Sequence, residues 1–498
     1  MQTSPDKPRV LIIGAGIGGI ATAARLARRG FQVTVLEKNE KTGGRCGNMH
    51  MDGYTFDTGA TLFMMPDLYA DTFADLGERM QDHLDLRRID PTYHLTFPDD
   101  SQLQLTSDLQ VMRTRLESIE PGSFERMLHY LGEAGRIYDL SMPKMLGRDF
   151  RSLPEFINPR MLQVFLQVKA LTRHTSYVRR FFKDPRLQMA FTFQDMYMGL
   201  SPYQSPATYS LMQYTELASG LWYPMGGMYR VTEVLTGIAE KLGVTFRYQS
   251  PVEQILVKDA ASGVRLADGQ VLAADTVVAD ADLGYVYRNL LPDTPAADRI
   301  DRMEYGCSTI MFYWGLDKQY LQLGPHNLFL SGDYRGSFED IFKRTGMPDE
   351  PNFYIHAPVR LDPSMAPAGH DTWYVAVPVG HINPKLPQDW PTMRQHARAF
   401  ILGRLARLGL PEVEAHIRTE VSFIPPDWQA RYNLPLGSTH GLSHKLTQMA
   451  YLRPHNRHSR YHNLYFVGAS THPGTGVPTV LVSAGLAARR ILEDAGMQ

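Results

Sequence analysis

Three glycines and one carboxylate pose the first chemical question in this sequence. Gly14, Gly16 and Gly19 stand at the spacing G-x-G-x-x-G, and Glu37 closes a second apolar run downstream. Gly14 permits a tight turn, Gly16 lets a pyrophosphate approach the backbone, and Gly19 lets a helix pack closely on a strand. The free N–H groups of the helix start, around Gly18, then face the phosphates. Glu37 lies at the distance along the chain where a carboxylate accepts hydrogen bonds from both ribose hydroxyls of an adenine dinucleotide and repels a 2′-phosphate.

These residues need a strand, a turn, a helix and a second strand to bring them together. Val10–Ile13 has the apolar character of a buried parallel strand, the residues through Arg29 read as a helix, and residues 31–36 read as the second strand. The chain continues Lys38-Asn39-Glu40-Lys41-Thr42-Gly43-Gly44-Arg45. That Gly-Gly-Arg resembles the second phosphate contact of the FAD-dependent amine oxidase and carotenoid desaturase superfamily. The resemblance implies FAD as cofactor, with Lys38, Gly44 and Arg45 beside its ribose and pyrophosphate. A hairpin is expected to turn at Asp52-Gly53 and to run into Asp57-Thr58-Gly59-Ala60-Thr61-Leu62. By the same resemblance this loop passes the flavin, with Thr61 and Leu62 in contact.

Composition sets bounds. With 498 residues, 43% hydrophobic and 21% charged, the chain is that of a globular protein with room for two or three domains. Lys and Arg number 51 against 52 Asp and Glu, which gives no global signal for a nucleic-acid partner. The two cysteines, Cys46 and Cys307, are too far apart in sequence to suggest a disulfide framework or metal cluster, and no metal is expected. Residues 1–8 lack the apolar core of a signal peptide, so no targeting segment is expected. Nor does any apolar run reach the roughly 18 residues needed to cross a bilayer.

Between these bounds the chain alternates. Tyr93-His94-Leu95-Thr96-Phe97 and Leu103-Gln104-Leu105 read as strands, and residues 123–182 as largely helical. Within 160–183, Arg160, Lys169, Arg173, Arg179, Arg180 and Lys183 accompany Phe165, Leu166, Leu171, Tyr177, Val178, Phe181 and Phe182. Such a mixture suits either a helix pair lying in a membrane interface or a helical cap with a solvated basic face. Residues 191–203 and 209–214 are dense in aromatic and Met side chains, which suit an apolar tunnel or an ordinary core. A helix is expected over 229–242, then a strand over 244–248. Residues 251–257 and 270–272 are expected to form a hairpin around Asp268-Gly269, followed by a buried strand over 276–279. Strands over 308–314 and 372–377 and a helix over 393–408 complete a second sheet region. Five histidines, His440, His444, His455, His458 and His462, could share a helical face, but Pro454 interrupts it and no carboxylates accompany them.

The last segment, 463–478, reads as a strand, a Gly-rich turn and a helix whose N-terminus suits negative charge on a reduced flavin. Here Thr471-His472-Pro473-Gly474-x-Gly476-Val477-Pro478, with Arg453-Pro454-His455-Asn456-Arg457 upstream, resembles the signature of bacterial and fungal phytoene desaturases. Residues 362–367, 374–379, 326–329 and 340–342 are similar to stretches of the same family, so the resemblance covers nearly the whole chain. It implies cofactor contacts at Val252, Gly468, Ala469, Gly476, Val477 and Pro478. One departure is Ala469, which stands where the wider flavin class often carries an acid.

The fold implied is α/β, a Rossmann-like FAD-binding domain with an interleaved α+β substrate domain and a helical membrane-facing region. The FAD-binding parts are expected at 1–66, 221–299 and 446–498, the substrate-domain parts at 67–122 and 300–445, and the helical part at 123–220. The implied activity is desaturation of phytoene and partly desaturated carotenes up to lycopene, by hydride transfer to flavin and proton loss. A quinone or oxygen would take the electrons at the cytoplasmic side of a membrane held peripherally. Asp149, Asp195 and Glu216 are candidates for proton acceptance or cation stabilisation. Other readings are a C30 diapophytoene desaturase, a carotenoid oxygenase or isomerase, a flavin amine oxidase, and a prenyl-lipid escort protein without catalysis.

Overall fold

A computed structural model describes residues 7–291 and 295–497. Residues 1–6, from which most of the targeting expectation was drawn, lie outside the described residues.

The first apolar run forms β1 (Arg9–Ile13), followed by α1 (Ile17–Arg28) and β2 (Gln32–Leu36). β1 lies at the centre of a five-stranded, wholly parallel sheet. Its order is Leu464–Phe466, Thr276–Ala279, β1, β2, Thr245–Arg247. Parallel strands buried on both faces need continuous apolar runs, and Val10, Ile12, Val33, Val35, Val277 and Val278 supply them. One face is covered by α1 and the helices Tyr229–Lys241 and Val477–Asp494. The other carries a three-stranded antiparallel sheet.

That small sheet corrects one expectation. Val252–Val257 and Val271–Ala273 do not pair with each other, because Ala261–Leu266 runs between them and pairs with both. The Asp268-Gly269 turn joins the second and third strands. Gly263, at φ +145, has the Leu272 carbonyl oxygen 2.0 Å from where a Cβ would sit, so a glycine inside this strand is required by close backbone approach.

The hairpin β3 (Asn48–Met51) and β4 (Tyr54–Asp57) turns at Asp52-Gly53. Asp57 then accepts from the Met228 and Tyr229 N–H groups (2.8 and 2.9 Å) and caps the Tyr229 helix; burial pushes its carboxyl up to about 7. A seven-stranded sheet is built from Ser308–Leu316, Asp371–Val379 and five shorter strands, including Tyr93–Thr96 and Gln102–Leu105. Its strand Ser308–Leu316, second from one edge, alternates: Phe312 and Trp314 pack under the helix Trp390–Arg407, while Met311 and Tyr313 face β4.

In the helical region, Ser123–Ser141 packs with the shorter helices Leu153–Phe156, Pro159–Gln167, His174–Val178 and Pro185–Ala190 around Tyr130, Phe182 and Phe191. A second correction follows. Tyr177, Val178, Phe181 and Phe182 are not available to a surface, since Phe182 is 0% exposed and stacks on Phe191 at 4.6 Å. The exposed aliphatic side chains lie earlier, at Leu153, Ile157, Leu162, Leu166 and Leu171, each between 47% and 67% exposed. Among the described residues no helix is long and apolar enough to cross a membrane.

Candidate active site

The β1–α1 turn opens a cavity of about 430 Å³. Gly14, at φ +99, makes the turn that only glycine adopts without strain. Gly19 is packed so closely on the strand that a Cβ would lie 2.3 Å from the Gly14 carbonyl oxygen. Glu37, at the end of β2, accepts from the Ala15 N–H (2.8 Å), the Asn39 N–H (2.8 Å) and the Asn39 amide (2.9 Å), so its carboxylate is aimed at the turn before any ribose arrives. The Gly43 N–H bonds the Ala15 carbonyl (2.8 Å), which brings Gly44 and Arg45 against the same opening. Arg45 donates to the Thr439 carbonyl (2.9 Å). Lys38 donates to Asn433 Oδ1 (2.8 Å). Backbone N–H groups at a helix start whose N-cap residue Gly16 has no side chain, a guanidinium donor and a buried carboxylate acceptor are the groups that suit an adenine dinucleotide.

The far wall comes from the C-terminal segment. Gly468, Ala469, Gly476, Val477 and Pro478 line the cavity, and the helix Val477–Asp494 starts there with no side-chain cap. Arg453 holds this turn. It is buried, and its guanidinium donates to the carbonyls of Leu442, Ser443, Gln448, Ala469 and Thr471 at 2.6 to 3.3 Å. Burial lowers its pKa to about 10, so it stays charged at neutral pH. Asn456 ties the Phe466 and His472 carbonyls to Ser483. The five histidines share no helix: His440 lines the cavity, His444 accepts from the Thr475 N–H (2.9 Å), and His458 packs on Tyr461. Among the described residues no cluster suited to a metal ion is found.

Of the expected cofactor contacts, Gly14, Gly16, Gly18, Glu37, Lys38, Gly44, Arg45, Thr61, Leu62, Val252, Gly468, Ala469, Gly476, Val477 and Pro478 all line this one cavity. Gly19 alone stands behind it, in the packing role its spacing suggested. The lining continues to Met64, Met65, Tyr197, Met198 and Met212, and to Met311 and Tyr374 of the seven-stranded sheet. Sequence reasoning passed over Asp280, Tyr432 and Asn433, and weighed His440 only as a metal ligand; all four also line it. Asp280 had a signal, since it directly follows a buried strand that runs parallel to β1.

None of the three candidate carboxylates lines the cavity. Asp149 pairs with Arg151 (2.8 Å) and Arg490 (3.6 Å) near the surface. Asp195 is fully buried against His174 Nδ1 (2.9 Å). Glu216 is fully buried and accepts from the Gln194 amide (3.0 Å). Burial pushes its carboxyl up to about 8, against the opposing pull of Gln194, Tyr197 and Tyr93. A continuous polar chain joins the last two. Gln213 donates to Gln194 Oε1 (2.8 Å), Tyr130 donates to Gln213 Oε1 (3.1 Å), and the Tyr130 hydroxyl meets His174 Nε2 (3.1 Å). Tyr197, which lines the cavity, donates to Tyr93 (2.5 Å) at the Glu216 end of this chain.

Comparison with known proteins agrees with this geometry. Residues 17–492 match the family of flavin-containing amine oxidoreductases. A "zeta-carotene-forming phytoene desaturase" from Myxococcus xanthus is 44% identical, over 100% of this chain and 96% of its own. A "phytoene desaturase" from Fusarium fujikuroi is 41% identical, over 99% and 91%. An oxidoreductase from Methanosarcina mazei shares the fold with a TM-score of 0.63 at 15% identity, over 96% of this chain and 99% of that one. The chain therefore belongs to the flavin-containing amine oxidoreductase family, beside its bacterial and fungal phytoene desaturases.

Proposed function

We propose that this protein is an FAD-dependent carotenoid desaturase that introduces double bonds into phytoene and then into partly desaturated carotenes, towards lycopene. The observation that carries the reading is the continuity of one cavity, from the glycine turn and Glu37 to the Met and Tyr lining of the helical region. Bound FAD supplies the acceptor for a hydride leaving an allylic CH2 group. The chain's part is to hold an extended apolar substrate against that acceptor and to keep water out. Met64, Met65, Met198 and Met212 suit this, because unbranched thioether side chains adapt to a long ligand. The acids of the lining, Glu37, Asp280 and Asp282, belong to the strand ends of the dinucleotide-binding sheet and the residues just beyond them. Proton loss from the neighbouring carbon therefore falls to hydroxyls such as Tyr197 or to a base reached through it. Glu216, the carboxyl on that route, is held neutral by burial and so is not the acceptor at neutral pH; the substrate cation is acidic enough to give its proton by way of the Tyr197 hydroxyl to solvent, with no strong base.

The test is expression in cells that accumulate phytoene, with chromatography of the pigments. Coloured carotenes are expected; unchanged phytoene beside a flavin-loaded protein would overturn the reading. A product that stops at ζ-carotene is a second reading, favoured by the name of the Myxococcus relative. We further propose a quinone or oxygen as electron acceptor, since the sequence carries the G-x-G-x-x-G spacing once, at Gly14–Gly19. In an anaerobic single turnover, a quinone should restore the flavin absorbance that phytoene has bleached, with no nicotinamide present. Peripheral attachment to a membrane is supported by the exposed side chains Leu153, Ile157, Leu162, Leu166 and Leu171, with Arg160 and Arg173 exposed among them; we propose the cytoplasmic side.

A further inference from the structure

We propose that Asp280 holds the pyrophosphate of the cofactor as a neutral carboxylic acid, so that in alkaline solution FAD binding takes up one proton. This rests on the reading of the glycine turn as the pyrophosphate seat. Asp280 directly follows the strand Thr276–Ala279, and its N–H donates to the Ile13 carbonyl (2.8 Å), which fixes it beside the end of β1. From there its carboxyl reaches into the turn. A Cβ on Gly16 would lie 2.5 Å from Oδ2, one on Gly18 2.5 Å from Oδ1, and one on Gly468 3.4 Å from Oδ1. The carboxyl thus stands between the two glycine turns that open the cavity, at the N-terminus of α1, and lines the cavity itself.

The surroundings do little to keep a charge there. Arg45, from the Gly44–Cys46 turn, attracts it, and Glu37 at the end of β2 repels it. Arg45 is engaged by the Thr439 carbonyl, and among the described residues no lysine or arginine forms an ion pair with Asp280. Asp282, two residues on, is occupied by the Ser470 hydroxyl (2.6 Å) and the Gly284 N–H (3.1 Å). His440 across the cavity is neutral, because burial pushes it down to about 4. Gly468 and Ala469, and the helix start at Val477–Val480, bring no charge. Burial pushes the Asp280 carboxyl up to about 8, while the Gly19 and Gly16 N–H groups hold it down. A pyrophosphate brought to the same turn adds like charge and raises it further. As a carboxylate, Asp280 would repel the phosphates and compete with them for the same N–H groups. As an acid it donates a charge-assisted hydrogen bond to a phosphate oxygen.

The test is FAD titration of the flavin-free full chain by calorimetry, in two buffers of different ionisation enthalpy. Near pH 9 the wild-type protein should take up about one proton per FAD, and near pH 6.5 almost none. Its Kd should be flat below about pH 7 and rise about tenfold per pH unit above about pH 8. Asp280→Asn should show no proton uptake and bind FAD about tenfold more tightly than wild type near pH 9, where an amide still donates. Wild-type binding near pH 9 without proton uptake would overturn this proposal alone. So would Asp280→Asn, folded by circular dichroism, binding more weakly than wild type at every pH, which is the result expected of a carboxylate that accepts from a cofactor hydroxyl. Failure of the wild-type protein to bind FAD at any pH would overturn the cofactor reading and this proposal together.

Discussion

At the glycine end of the cavity much of the wall is backbone, in the turns at Gly14–Gly18, Gly43-Gly44 and Thr475-Gly476, with the Glu37, Arg45 and Asp280 side chains set between them. Behind Tyr197, in the helical region, the structure is held by side chains instead. Glu216, Gln194, Gln213, Tyr130, His174 and Asp195 bond one another away from water. Backbone donors have fixed positions and cannot be lost by a single substitution, which suits a site that must meet the same phosphates in every molecule. A side-chain network in a low-dielectric interior is satisfied only as a whole, so it ties the helices to one arrangement and is sensitive at each member.

The largest effect should come from Arg453, which holds the C-terminal turn of the backbone end. Arg453→Ala takes a donor from five buried carbonyl oxygens. It should lower unfolding stability by about 3–5 kcal/mol, measured by urea denaturation, and release flavin as well. Gly16→Val should weaken FAD binding at least about 100-fold, roughly 2.7 kcal/mol, because the first side-chain atom already meets Asp280. Flavin absorbance after gel filtration reads this, and near-normal retention would remove Gly16 from the phosphate seat.

Glu216→Gln probes the other region. A carboxyl whose folded pKa is raised stabilises the fold fully below its unfolded pKa, near 4.5, and loses that contribution as pH rises through about 8. Wild-type stability should therefore fall relative to the variant by up to about 1.4 kcal/mol per pH unit across this window. The urea midpoints of the two proteins should diverge between about pH 5 and pH 8. Parallel midpoints would mean that Glu216 is charged in the fold, and the network would need a cation not seen beside it. The smallest effect on stability, within about 0.5 kcal/mol, is expected of the triple variant Leu162→Ser, Leu166→Ser, Leu171→Ser, because these side chains are already exposed. Sedimentation with anionic vesicles should nevertheless fall about tenfold or more, as each leucine inserted contributes about 1.5–3 kcal/mol. Unchanged sedimentation would leave this apolar run without a membrane role.

The contrast also explains what could be read before the fold was known. β1, α1, β2 and Glu37 are consecutive and their constraints are local, so glycine spacing and apolar periodicity suffice to find them. The strand Ala261–Leu266 escaped because Gly263 breaks its pattern for a tertiary reason, the Leu272 carbonyl beside it. Phe181 and Phe182 look like Leu166 and Leu171 in sequence. Only the presence of Tyr130 and Phe191 against them makes the first two core and leaves the others exposed. The polar network is least legible of all. Its members span residues 130 to 216, and a Gln or Tyr carries no mark of whether its partner lies on another helix.

The order of strands in the parallel sheet has a consequence for synthesis. β1 and β2 leave the ribosome within the first forty residues, but their neighbour Thr276–Ala279 follows some 240 residues later. The edge strand Leu464–Phe466 and the wall from Gly468 to Pro478 come later still. A nascent chain stalled anywhere before residue 464 therefore exposes a half-built nucleotide cleft with apolar strand edges, and needs shielding until release. Flavin loading is thus expected to be a post-translational event, and free FAD should speed the last docking step rather than the first.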